Sequence, residues 1–295
     1  MRITAEIRGG NLGAIHDAAA RTLRARTQLE TGRRMTRPSD DPAGARQLLA
    51  HQTTVAAMRS YERATSVVLL RQGMLERVSE NLLTQLIDVV NATTGALGSL
   101  QDGEAGVRAA IAISSLRDGI AADLNTSVQG EYLFSGSEAT TPAFSTQGGQ
   151  WVYGGDTAKV HVAIMPGRET PISEVGSQVA QGTATDNVLN TLESLITALD
   201  TGDTATARSL LPAVNDAIAR VIDMQNRLGV EQAAVAAAQQ RVTTERTTAL
   251  SSQAALEEAD LVAAALALNQ SDTAYRAALQ ATGILNQTSL LDFLR

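Results

Sequence analysis

The chain contains no cysteine, which excludes disulfides, thiolate metal sites and cysteine nucleophiles. Aromatic residues make up only 3% of its 295 residues. Its apolar mass is therefore Ala, Val, Leu and Ile, which suits thin seams between helices better than a wide globular core. Lysine occurs once, at Lys159, among 24 basic residues; we read the arginine excess as compositional bias. No run of 18 apolar residues is present, so no transmembrane helix is expected, and the N-terminus lacks the apolar centre of a cleavable signal. His16, His51 and His161 lie in three separate regions and have no metal-ligand spacing. No glycine loop ends in Lys-Ser or Lys-Thr, and Ser135 lies outside a Gly-x-Ser-x-Gly elbow. The pairs Asp40-Asp41 and Glu257-Glu258 read as a helix cap and a solvated helix face. The expectation is a chain with no catalytic residue, cofactor or metal site; an enzyme with a concealed site is the least supported alternative.

Charge is uneven. Residues 1–37 carry eight arginines against Glu6, Asp17 and Glu30, a balance of +5 that leaves −12 for the remainder of a chain whose net charge is −7. A basic, amphipathic start can mark nucleic-acid or membrane binding, but no stacking aromatics accompany it and the whole is acidic. Neither nucleic-acid binding nor membrane insertion is expected.

What is present is helical periodicity. From Pro42 to Leu100, Val68, Leu75, Leu82, Val89 and Ala96 recur every seven residues, with no proline after Pro42. Asp41 is placed as the N-cap, Pro42 as the first helical residue and Asp40 as added negative charge at the positive end of the dipole. An unbroken helix of about 59 residues would span roughly 90 Å at 1.5 Å per residue. A second series, Leu228, Val235, Val242, Ala249, Leu256 and Ala263, has the same spacing and supplies a partner. The seam of this rod is expected at Val68, Leu75, Leu82, Val89, Val235, Val242 and Leu256.

In chain order, Leu12, Ile15, Ala19 and Leu23 form a weak apolar stripe before a linker at 32–38. After the first long helix, a turn at 101–103 leads to a helix from about Glu104 to Val128, antiparallel to it. Residues 131–184 change character: they hold Tyr132, Phe134, Phe144, Trp151 and Tyr153 and three of six prolines. Strands are expected at Gln150–Tyr153 and Lys159–Ile164, with Trp151 as core anchor. Helical pattern returns after Asp186 or Asn187, breaks at Thr201-Gly202-Asp203, and runs on through Leu268, Tyr275 and Leu279, with a possible interruption at Gly229. Leu291, Phe293 and Leu294 sit in an apolar tail. The stripes at the two ends find no mate inside the rod in this reading. Ile15, Leu12, Ala19, Leu23, Tyr275, Leu279, Leu291, Phe293 and Leu294 are therefore the candidate assembly interface, and both ends are expected to be largely disordered in an isolated copy.

Five segments carry a resemblance. Arg33-Arg34 with Pro38-Ser39-Asp40-Asp41-Pro42-Ala43-Gly44-Ala45 resembles the N-terminal signature of the bacterial flagellin family. Tyr132-Leu133-Phe134-Ser135-Gly136, Asn226-Arg227-Leu228-Gly229, Ser271-Asp272-Thr273-Ala274-Tyr275 and Ser289-Leu290-Leu291-Asp292-Phe293-Leu294 resemble segments of its hook–filament junction members. Glu6, Arg8 and Gly9-Gly10 depart from the family's usual start. The resemblance implies a mainly α fold: a long antiparallel helical bundle or coiled-coil rod, a small inserted β domain and paired terminal helices. It implies terminal helices at 1–41 and 269–295, a rod at 42–130 and 185–268, and an outer β domain at 131–184. It further implies a structural role in the extracellular flagellum and export through the flagellar type III apparatus. Implied partners are neighbouring copies in a ring, another hook-associated junction protein, flagellin, and an export chaperone at the C-terminal region. A filament subunit of the same family, and an unrelated coiled-coil adaptor, are the alternatives.

Overall fold

The computed structural model describes the backbone of residues 2–98, 103–182 and 187–293, and the side chains of 13–98, 104–182 and 187–284. The elements in order are α1 (Arg2–Thr31), α2 (Pro42–Gly98), α3 (Gly103–Leu124), β1 (Ser127–Val128), β2 (Glu131–Tyr132), β3 (Phe144–Gln147), β4 (Gln150–Tyr153), β5 (His161–Met165), β6 (Arg168–Pro171), α4 (Gly176–Ala180), α5 (Val188–Asp200), α6 (Thr204–Glu257) and α7 (Leu261–Phe293). The strands pair as three antiparallel two-stranded sheets, β1–β2, β3–β4 and β5–β6. The fold is mainly α with small sheets. No described helix is long and apolar enough to cross a membrane. The chain forms two compact units, residues 58–244 and residues 1–57 with 245–295.

Within residues 58–244 the core follows the first heptad series. Val68, Leu75, Leu82 and Val89 of α2 are buried, as are Leu228, Val235 and Val242 of α6. Leu75, Leu82 and Val89 share one cluster with Ile113, Ile120 and Leu124 of α3, Leu192 and Leu195 of α5, and Val214, Val221 and Leu228 of α6. Val68 packs instead with Val235 and Ala238 of α6 and with Ile164 and Ile172 from the β5–β6 hairpin. Gly229, where an interruption was considered, lies inside an unbroken α6. A glycine in a helix costs about 1 kcal/mol, and the buried Leu228 and Val235 on either side offset it.

A second column accompanies the apolar one. Thr65, Gln72, Ser79, Leu86 and Thr93 recur at seven, each three residues ahead of the Val68 series, and all are buried. The hydroxyls satisfy themselves on their own helix: Thr65 Oγ1 donates to Glu62 O at 2.9 Å, Ser79 Oγ to Glu76 O at 2.7 Å and Thr93 Oγ1 to Val89 O at 2.7 Å. The Gln72 carboxamide has no partner in the structure. A buried, unsatisfied amide costs about 1–3 kcal/mol, whereas polar residues in a seam specify register. Gln72→Leu should therefore raise the melting temperature followed by circular dichroism. A fall would show that the amide is satisfied and holds the seam together.

The Tyr132–Gly136 segment is a packing keystone. Leu133, Phe134, Ser135 and Gly136 are buried, and the chain passes so close to its neighbours that no side chain fits. A Cβ added to Gly155 would lie 2.6 Å from Ser135 O, and one added to Gly176 would lie 2.7 Å from Phe134 O. Glu174 N donates to Leu133 O at 2.7 Å, and Gly176 N to Phe134 O at 2.7 Å. Burial pushes the Tyr153 hydroxyl up to about 12, so it stays protonated and donates to Phe134 O at 3.0 Å. The only lysine has a structural task here: Lys159 Nζ donates to both carboxylate oxygens of the buried Glu174, at 2.7 and 2.8 Å. Trp151 is half-buried against the main cluster.

Candidate assembly interface

α1 and α7 pack on one another along their lengths. They run antiparallel, because Ala259 N, just before α7, donates to Gly32 O, just after α1, at 2.9 Å. Each helix therefore has a mate within the chain, which corrects the expectation of unpartnered ends. The correction has a physical reason: the seam is made of small residues that an apolar stripe does not advertise. Ala18 and Ala25 of α1, and Ala264 and Ser271 of α7, are its buried positions, seven apart on each helix. Half-buried Ile15 and Thr22 continue the α1 column, and Leu268, Tyr275 and Ala278 the α7 column. A groove of about 750 Å³ follows this seam, with Ala14, Ala18, Ala274 and Ala278 in its floor.

Several large apolar side chains point the other way. At 100° per residue, Val262, Leu266 and Ile284 fall on the side of α7 opposite the Ala264–Ser271 column. They are 80%, 59% and 64% exposed, and Leu23 on α1 is 65% exposed. A helix pair with alanines inside and leucine, valine and isoleucine outside has its hydrophobic surface arranged for other molecules. Among the sequence candidates, Leu23 and Leu279 are exposed, whereas Ile15, Ala19 and Tyr275 are half-buried. Ile15 and Tyr275 lie on the seam columns. The environments of Leu12, Leu291, Phe293 and Leu294 lie outside the described residues. Val262, Leu266 and Ile284 were missed in sequence because the C-terminal heptad was read straight through Leu256 to Ala263.

That heptad breaks in the structure. α6 ends at Glu257, α7 starts at Leu261, and the buried register moves from Ala249 to Ala264, one residue beyond the repeat. Leu256 is consequently only half-buried and Ala263 is exposed. Arg34 holds the break. Its N–H donates to Glu257 O at 2.7 Å and its Nε to Leu256 O at 3.2 Å, which caps the last carbonyls of α6. Its Nη2 reaches Asp41 Oδ2 at 3.2 Å, and its own carbonyl accepts from Gln28 Nε2 of α1 at 3.0 Å. Asp260 Oδ1 accepts from Val262 N at 2.9 Å and Ala263 N at 3.0 Å, which caps α7.

Asp41 occupies the N-cap of α2: its Oδ1 accepts from Gly44 N at 2.9 Å, with Pro42 as the first helical residue. Asp40 acts one turn earlier, where its Oδ2 accepts from Arg37 N at 2.9 Å and Thr36 N at 3.3 Å. The Gly44 amide, with help from Arg34, holds the Asp41 carboxyl below its usual value, and the Arg37 amide does so for Asp40. A carboxyl whose folded pKa is depressed stabilises the fold above its unfolded value of 3.8, and that contribution disappears as pH falls through the lower folded value. The melting temperature should therefore drop on acidification below about pH 4, and Asp41→Asn should flatten that drop. Parallel melting curves for the two proteins between pH 2.5 and 6 would remove Asp41 from the account.

Comparison with known proteins shows what this chain is similar to. A model of the bacterial flagellin N-terminal helical region matches residues 11–139. Flagellar hook-associated protein 3 of Escherichia coli strain K12 is 27% identical over 250 residues, covering 75% of this chain and 76% of that protein. The chain is thus similar to bacterial flagellin-family proteins over its N-terminal helical region. Flagellar hook-associated protein 3 of Salmonella typhimurium is another relative, 28% identical over 178 residues, covering 57% of this chain and 53% of that protein. Among solved structures, a flagellar hook-associated protein from Vibrio parahaemolyticus superposes with a TM-score of 0.69 at 20% identity, covering 74% of this chain and 99% of that one. Bacillus cereus FlgL gives 0.60 at 18% identity, covering 70% and 99%. At these identities the structural likeness establishes the fold alone.

Proposed function

We propose that the chain is a structural component of the bacterial flagellum that joins hook to filament through helix–helix assembly, with no catalysed step. The observation that carries this is the reversed α1/α7 pair, whose seam is alanine and whose exposed faces hold Leu23, Val262, Leu266 and Ile284. Burying such side chains against neighbours yields about 25 cal/mol per Å². Ordering and association oppose it, so stable assembly requires several neighbours at once. Neighbouring copies form a ring, with another hook-associated junction protein on the hook side and flagellin on the filament side. Export runs through the flagellar type III apparatus, with a chaperone bound at the C-terminal region. In this reading residues 1–41 and 269–295, joined by the first turns of α7 from Leu261, form the assembling pair, the rest of 42–130 and 185–268 the rod, and 131–184 the outer domain. The tail from Ser289 to Arg295 adds apolar side chains to the same interface.

A deletion strain tests the role. Cells lacking this protein should carry hooks without filaments and release flagellin into the medium, and the wild-type gene should restore swimming. Filaments of normal number and length in the deletion strain would overturn the junction role and favour a minor filament subunit.

A further inference from the structure

The base of the β5–β6 hairpin meets α6 through charged side chains. Lys159 precedes β5, Glu174 follows β6, and Asp223, Arg227 and Glu231 lie at successive turns of α6. Both cations are committed. Lys159 Nζ holds the two oxygens of Glu174, whose side chain is 2% exposed. Arg227 pairs with Asp223 through Nη1, and its Nη2 stands 4.0 Å from Glu174 Oε2. Glu231, one turn further on and half-buried, has no hydrogen bond or ion pair among the described residues. The charged groups of α2 at this level are engaged elsewhere: Arg71 pairs with Glu131, and Glu76 accepts from Gln232 Nε2 at 3.1 Å. His161, whose Nδ1 lies 2.9 Å from Lys159 O, is the remaining titratable group at the junction. Glu231 is thus a half-buried carboxylate left over beside a satisfied one.

We infer that Glu174 and Glu231 act in opposite senses at this junction: Glu174 latches the β5–β6 hairpin onto α6, and Glu231 loosens that latch whenever it is ionised. The outer hairpin is thereby fastened more tightly in mild acid than at neutral pH. Charge counts here because the apolar contact is small: Ile164 and Ile172 pack on Val68, Val235 and Ala238. A two-stranded hairpin has little stability of its own and depends on such docking. Docking takes water from Glu231 and sets it near Glu174; lifting the hairpin returns it to water. Burial first, and then the negative charge of Glu174, raise the Glu231 pKa above its usual value, against the pull of Lys159, Arg227 and His161. A carboxyl whose pKa is raised in the docked state takes up a proton on docking, so docking strengthens as pH falls through that value. The latch involves only α6 and the hairpin and is independent of the junction role.

Hydrogen exchange of the full-length protein tests this, with protection factors for residues 161–171 read against those of α2. On going from about pH 7.5 to about pH 5 the hairpin should gain protection while α2 does not. Glu231→Gln removes the leftover charge and leaves the latch in place. It should raise hairpin protection roughly threefold or more at neutral pH and abolish the pH response. Glu174→Gln takes the partner from Lys159 and should lower hairpin protection roughly tenfold or more. Should that variant fail to fold, Glu231→Gln still decides the matter, because it replaces a half-buried, unbonded side chain. A Glu231→Gln hairpin that exchanges as fast as the parent's, or faster, would overturn the loosening role. A pH response that survives the substitution would assign it to His161 and overturn the inference as well. Unchanged hairpin exchange in folded Glu174→Gln would overturn the latch.

Discussion

Leu75→Asp or Leu82→Asp should lower the melting temperature by roughly 10 °C or leave the chain unfolded. Both leucines are 2% exposed and pack between α2, α3, α5 and α6. The change removes a buried apolar side chain and places a carboxylate where the adjacent seam is alkyl, at a cost of about 3–5 kcal/mol. A domain of this size loses about 2–4 °C per kcal/mol. Thermal melts by circular dichroism decide the matter, and an unchanged midpoint would mean that the Leu75–Leu82 stripe faces solvent.

The same substitution on the terminal pair should do the reverse. Val262→Asp, Leu266→Asp or Ile284→Asp alters an exposed position, so the isolated protein should melt within about 0.5 kcal/mol of the parent. In cells these variants should restore little or no swimming to a strain lacking the native protein. In the proposed ring, a repeated interface multiplies one carboxylate by the number of copies, and each copy places a charge into surface that assembly would strip of water. Immunoblots of the growth medium separate failed assembly from failed export, since an exported variant that cannot lodge at the hook accumulates outside. Variants that swim normally on full-length filaments would remove this face from the assembly mechanism. Truncation before Ser289 asks the same of the tail and should give the same separation: a folded chain and motionless cells.

Periodicity was enough to place the α2 seam, the cap at Asp41 and the entry at Pro42, because these depend on nearest-neighbour chemistry: seven-residue spacing, a carboxylate before the first turn and a fixed φ. Composition marked residues 131–184 as unlike the helical remainder; β2 to β6 lie within them and β1 just before. Five short motifs in order carried the resemblance to the flagellin family, while the absence of cysteine, of phosphate loops and of histidine clusters bore on catalysis and metal binding. Other features had only weak signals in the sequence. The polar column at Thr65, Gln72, Ser79 and Thr93 has the same spacing as the seam but not its hydrophobicity. The α1/α7 seam is built from alanines, whose burial depends on how closely two helices approach and not on their own transfer energy. Which of two equally apolar faces turns outward is therefore a tertiary outcome. So is the break after Glu257, where Arg34 reaches across 222 positions of sequence to take the carbonyl of Leu256. The side-chain hydrogen bonds of Asn125 to Phe144 and of Asn190 to Trp151 are likewise non-local, joining residues 19 and 39 positions apart. The sequence by itself determined that α2 runs unbroken from Pro42 and that Asp41 caps it, since each rests on local covalent and steric preference. The tertiary structure alone decided which surfaces are buried, which are exposed and where the long C-terminal helix ends, because those depend on distances between segments that share no sequence neighbourhood.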